Sequence, residues 1–153
     1  MYPGKYAALT PGKAAVIMAN SGEVLSYGEL NERSMRLAQL FVANGLEEGD
    51  RVAILAENHI RYFEAYWAAI RAGLYVTGVN WHLTAAEAGY IVANSGAKAL
   101  VTTAALADTA VVLLPDVPGC RVRHRRRHRG GVRAVRGGDR RLPGGRGHRA
   151  PPR

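Results

Sequence analysis

From Asp50 to Leu114 the chain alternates short apolar runs with helix-length stretches, and this alternation restricts the fold more than any other feature. Residues 51–55 make a strand-length run. Residues 59–72 then read as a helix, closed by Gly73, a residue free to take positive φ. Residues 74–79 make the next strand. Thr84-Ala85-Ala86-Glu87 fits a capping box that opens a helix to Asn94 or Ser95, with Gly96 as its stop. A strand over 98–102 and a helix over 104–114, ending before Pro115, complete the pattern. Strands joined through helices require crossovers, so the expected class is α/β, a mostly parallel sheet with flanking helices.

A different unit precedes it. Residues 13–19 and 23–25 are apolar runs separated by Asn20-Ser21-Gly22, a hairpin signal. Ser26-Tyr27-Gly28-Glu29 is a second capping box, and Leu30, Ser34, Leu37, Ala38 and Phe41 then fall on one helical face before Gly45. A parallel sheet needs both faces covered and its edges protected. No strand is expected beyond Thr102, so the sheet reads as one that more chain should complete.

Two unlike polymers share the chain. Residues 1–120 carry eight Lys/Arg against eleven Asp/Glu, while residues 121–153 carry thirteen Arg against Asp139 alone. The basic character of the whole chain therefore belongs to its last 33 residues. There Arg, Gly, Pro and His account for 26 positions and no aromatic residue occurs, so no core can be built. The expected division is a partial domain over 1–120 and a disordered Arg/Gly/Pro-rich tail over 121–153. Thirteen arginines would bind polyanions non-specifically through counterion release, and one reading of the chain is a small nucleic-acid-binding protein using this tail. Against it, such segments interleave Phe or Tyr to stack on bases. The preferred reading is that GC-rich coding DNA is read here in a shifted frame, because the composition changes abruptly near Cys120 to His124. Cys120 is the single cysteine, which excludes an internal disulfide framework and fits a reducing, cytoplasmic setting. No apolar run reaches membrane-spanning length, and no transmembrane segment is expected.

Four stretches, in order, resemble the AMP-forming acyl-CoA synthetases of the adenylate-forming superfamily. Leu25-Ser26-Tyr27-Gly28-Glu29-Leu30 is similar to that family's first core motif, and Gly49-Asp50-Arg51-Val52-Ala53-Ile54 with Asn58 to the strand that follows. Residues 71–80, Arg-Ala-Gly-Leu-Tyr-Val-Thr-Gly-Val-Asn, resemble the second core motif. Leu83-Thr84 with Glu87, then Asn94-Ser95-Gly96-Ala97-Lys98, resemble the helix and strand after it. Thr77-Gly78 and His82 depart from the residues most frequent at their positions. The resemblance implies the amino-terminal part of an adenylate-forming large domain, cut short and frameshifted after about residue 120. It implies a fatty-acid–CoA ligase as parent, with an aryl-CoA ligase or a peptide-synthetase adenylation domain left open.

The parent reaction so implied has two steps. A fatty carboxylate attacks the α-phosphate of Mg-ATP to give an acyl-adenylate, and the thiol of coenzyme A then displaces AMP. Charge that builds on phosphate oxygens calls for a loop of backbone donors, a carboxylate-held metal and cationic side chains. No Gly/Ser/Thr-rich loop of that kind occurs in these 153 residues, and the Gly-Gly pairs at 130, 137 and 144 are expected to have no strand before them and no helix after. No catalytic, cofactor-binding or metal-binding residue is therefore assigned, no cofactor is expected on this chain, and the chain alone is expected to be inactive.

Several residues invite more. Tyr62, Phe63, Tyr66 and Trp67 make two i, i+4 pairs, read as helix packing against the sheet rather than as an acyl or adenine wall. His59 with Glu57 and Glu64 lacks a second His or Cys at ligand spacing. Asn80-Trp81-His82 follows a strand end, where parallel sheets place ligand loops, but reads first as a packed loop. Cys120 is taken as a bystander, and His124, His128 and His148 sit among arginines that repel a cation.

Overall fold

A computed structural model of the chain describes residues 2–116 and the backbone of two further strands at 121–125 and 133–135. The lead holds a helix that the sequence reading did not anticipate, α1 (Pro3–Leu9), whose Pro3 occupies the first turn, where no N–H is needed. Strands β1 (Ala14–Ile17) and β2 (Val24–Ser26) pair antiparallel as the expected hairpin.

Both capping boxes form. Ser26 Oγ accepts from the Glu29 N–H at 3.2 Å while the Glu29 carboxylate accepts from the Ser26 N–H at 3.1 Å, and α2 (Tyr27–Ala43) begins there. Its buried residues, Leu30, Ser34 and Phe41, belong to the expected stripe. Thr84 and Glu87 repeat the arrangement at 3.3 and 2.9 Å to start α4 (Ala85–Ser95), which Gly96 ends at φ +66.

Strand β3 (Arg51–Leu55) lies centrally, with β4 (Tyr75–Val79) on one side and β5 (Ala99–Thr103) on the other, all parallel. Its burial pattern explains this position, since Val52 to Leu55 are all buried, as a strand covered on both faces requires. Helix α3 (Arg61–Arg71) joins β3 to β4, and Gly73 follows it at φ +69, where a Cβ would also lie 2.8 Å from the Glu48 side chain. Val52 packs with Phe41, Ala68, Ala69 and Leu74 on the face under α2 and α3. Ala53, Leu55 and Leu100 pack with Ala88, Val92, Ala110 and Leu113 on the face under α4 and α5 (Ala107–Leu113). Each large side chain so buried contributes about 1.5–3 kcal/mol.

Two expectations are corrected. The aromatic residues of α3 supply one member of its sheet-facing side, Tyr62, which packs on Ile54 and Ala65; the rest of that side is Ala65, Ala68 and Ala69. Small side chains let the helix approach the sheet closely, while Phe63 and Tyr66 are exposed and Trp67 packs away from the sheet on Leu25, Leu30 and Ile60. The supply of strands also continues past Thr102. β6 (Arg121–Arg125) pairs parallel with β5, and β7 (Arg133–Val135) pairs antiparallel with β6. Ladder bonds are made by backbone, so an arginine-rich composition hides a strand without forbidding one, and β5 gains a neighbour at its open edge. The sheet order is β4-β3-β5-β6-β7. The remainder of the segment read as a disordered tail, with Cys120, His128 and His148, lies outside the described residues.

Candidate functional site

β4 follows β3 on one side of it, whereas β5 lies on the other, so the winding reverses between β3 and β5. In open α/β sheets that reversal leaves a crevice outside the carboxyl ends of the strands. The loops after β3 and β5 diverge here, and Thr103 Oγ1 bridges them by donating to the Glu57 carboxylate. One residue earlier, Thr102 is buried and its hydroxyl has no hydrogen-bond partner. Alternation along β5 puts Thr102 on the Leu100 side, under α4 and α5.

The loop after β4 borders the same edge. Asn80 Oδ1 accepts from the His82 N–H at 3.0 Å, a local turn that carries the chain into the Thr84 cap. The Trp81 and His82 rings lie 3.7 Å apart between centroids, and both residues are exposed. The loop is thus fixed by its own turn and presents an aromatic shelf instead of packing inward. His59 is used locally: its Nδ1 accepts from the Arg61 N–H at 3.0 Å, at the start of α3. Glu64, which the sequence placed near His59, instead meets Arg61 at 2.6 Å and Arg33 at 3.1 Å between α2 and α3. At the amino ends of the strands Asp50 accepts from the Glu47 N–H at 2.9 Å and pairs with Lys98 at 2.6 Å. The Glu47 N–H first, and then Lys98, hold its carboxyl below the ordinary range.

Among the described residues no group of three His, Cys, Asp or Glu side chains converges as a metal site. Glu57 is a single carboxylate already engaged by Thr103, which does not fit the oxygen-rich coordination that magnesium requires. Among the described residues, positive-φ glycines occur at 22, 45, 49, 73 and 96, in the hairpin, after helices or before a strand. None opens a helix, so none presents the row of amides that holds a phosphate. The crevice can therefore position and stack a group, while its described residues supply no phosphate cradle.

A family model described as AMP-binding enzyme matches residues 5–134, the greater part of the chain. The chain belongs to the AMP-binding enzyme family. This family match runs through β6, although the composition changes near residue 120. Among curated relatives, a feruloyl-CoA synthase from Amycolatopsis sp is 37% identical over 112 residues, covering 73% of this chain and 22% of that protein. A medium/long-chain-fatty-acid–CoA/3-oxocholest-4-en-26-oate–CoA ligase from Mycobacterium marinum is 33% identical, covering 71% and 19%. The chain thus spans about a fifth of the length of the curated relatives it matches.

Solved structures agree with the family. A protein described as a long-chain-fatty-acid CoA ligase from Rhodopseudomonas palustris superposes with TM-score 0.74 at 26% identity, covering 84% of this chain and 32% of that one. A benzoate CoA ligase from Burkholderia xenovorans superposes with TM-score 0.72 at 25% identity, covering 81% and 25%. The α/β fold expected from alternation is therefore that of the adenylate-forming enzymes. Sequence reasoning placed the Asn80–His82 loop at this edge but missed the Glu57–Thr103 bridge. The signal available was a carboxylate and a threonine, each at the end of a strand.

Proposed function

We propose that this AMP-binding family chain forms the amino-terminal part of the large domain of an acid–CoA ligase, and that it scaffolds adenylation without performing it alone. The observation that carries the reading is the family match over residues 5–134, which takes in the hairpin, both capping boxes and the central strands. In the parent reaction a carboxylate displaces pyrophosphate from ATP to give an acyl-adenylate, and coenzyme A then displaces AMP. ATP, magnesium and coenzyme A are the parent's requirements, and a reaction fed by them belongs in the cytoplasm. The part assigned to this chain is the sheet and the Glu57, Asn80–His82 and Thr103 edge, with the phosphate chemistry supplied by other sequence.

A fatty acid is the substrate class first inferred, from the motifs at 25–30 and 71–80. A second reading, an aromatic acid, is favoured by the 37% identity to a feruloyl-CoA synthase. A graft tests the scaffold role: residues 14–103 replace the equivalent stretch of the Burkholderia benzoate CoA ligase, and benzoate-dependent ATP–pyrophosphate exchange is measured. Exchange retained in the chimera and absent from the isolated chain supports the proposal. A folded but inactive chimera, or exchange by the isolated chain with fatty or aromatic acids, refutes it.

A further inference from the structure

Against α1 lies a hollow of about 210 Å³, open to solvent on one side and walled by α1, the hairpin, the start of α2 and the middle of α3. Its walls are largely aromatic: Tyr6 and Tyr27 stack with centroids 5.0 Å apart, and Phe63 and Trp67 enter from α3. None of its eight lining residues is charged. Several contacts hold the α1 wall in place. The Arg71 guanidinium lies 4.4 Å from the centre of the Tyr2 ring and also binds the Tyr2 hydroxyl, Asn31 and, at 3.0 Å, Ser34. Tyr2 meets Trp67 edge to face at 6.3 Å, and a Cβ at residue 4 would lie 2.6 Å from the Tyr2 ring. The first residues are thus clasped beside a half-open aromatic hollow.

We propose that this hollow is a binding site for a small, neutral, single-ring aromatic molecule, with α1, held by the Tyr2–Arg71 clasp, as one wall. Size sets the first limit, because an apolar cavity of about 150 Å³ already admits benzene, while multi-ring ligands need roughly 300 Å³ or more. Chemistry sets the second. Stacked and edge-on rings complement another ring, and a carboxylate carried against these walls gives up part of its hydration with no cation in return. The site therefore selects against the carboxylic acids that acid–CoA ligases activate, and it does not depend on the functional reading above.

Phenol and benzoate are the probes, titrated separately into the full 153-residue chain while the methyl resonances of Ala15, Val16 and Leu30 are followed by NMR. Saturable phenol shifts confined to these methyls are expected, with benzoate binding about tenfold more weakly or not at all. Ala15→Phe, which fills the hollow, should abolish the phenol shifts, and Tyr2→Ala should weaken phenol at least about threefold by freeing α1. Equal binding of benzoate, unsaturable shifts spread over the protein, or phenol binding unchanged in both variants would overturn the proposal. The benzoate comparison needs no variant and stands even if Ala15→Phe fails to fold.

Discussion

The two faces of the sheet are held by different means. Under α2 and α3, alanines bring a helix close to the sheet, and above them Glu64 links Arg33 with Arg61 while Arg71 ties Ser34 and Asn31 to α3. Under α4 and α5 the contact is apolar, Val111 and Val112 face solvent, and among the described residues no ion pair reaches either helix. Among the described residues, the second face also contains the one buried side-chain hydroxyl without a partner, Thr102. Geometry on the first face is over-determined by polar links that tolerate little movement, whereas the second face rests on non-directional burial and can yield.

The largest expected effect follows from this contrast. Phe41→Ala on the first face should cost about 3–5 kcal/mol, because the alanine-lined contact cannot collapse into the space. Leu113→Ala on the second should cost only about 2–3 kcal/mol, since short α5 can settle inward. Urea unfolding midpoints compare them, and an equal or larger loss at Leu113 would break the distinction. Next, Glu64→Gln should cost about 1.5–3 kcal/mol by weakening charge-assisted bonds at a side chain only 6% exposed. A double-mutant cycle with Arg33→Ala should return a coupling of about 0.5 kcal/mol or more, and additive losses would show the link to be incidental. On the other face Thr102→Val should stabilise by about 1 kcal/mol, as a methyl replaces an unsatisfied buried hydroxyl. A destabilised variant would mean that the hydroxyl has a partner.

The smallest effect serves as a control that ignores the faces. Glu29 and Glu87 are held below the ordinary glutamate value, in each case first by the backbone N–H of the capping residue, Ser26 or Thr84. A depressed folded value means that the unfolded chain binds more protons, so this stability is complete above about pH 4.3 and decays as pH falls through the folded values. Glu29→Gln and Glu87→Gln keep a side chain able to accept from the cap, so each should flatten the fall of Tm between about pH 5 and 3. A flattening at one site only would show that the two caps are not equivalent.

Much of this was legible because it is local. Ser26 with Glu29, Thr84 with Glu87, and glycines 45, 73 and 96 act within a few residues of themselves, and they delimit helices wherever those helices pack. The stripe on α2 was equally readable from its period. What escaped depends on distant partners. Nothing near Arg71 in sequence announces Tyr2, and nothing near Glu57 announces Thr103. Phe63, Tyr66 and Trp67 misled because helical spacing shows that residues share a face without showing which face the sheet receives. β6 escaped because composition reports side chains and a ladder is made of backbone.

The most direct test of the central claim is titration of the 153-residue chain with Mg-ATP by isothermal calorimetry, with backbone amide shifts recorded in parallel. Without a phosphate cradle the expected result is no saturable heat into the millimolar range and no localised shifts. Saturable binding with shifts clustered at Glu57, Asn80–His82 and Thr103 would contradict it, placing a working nucleotide site at the edge described here as scaffold.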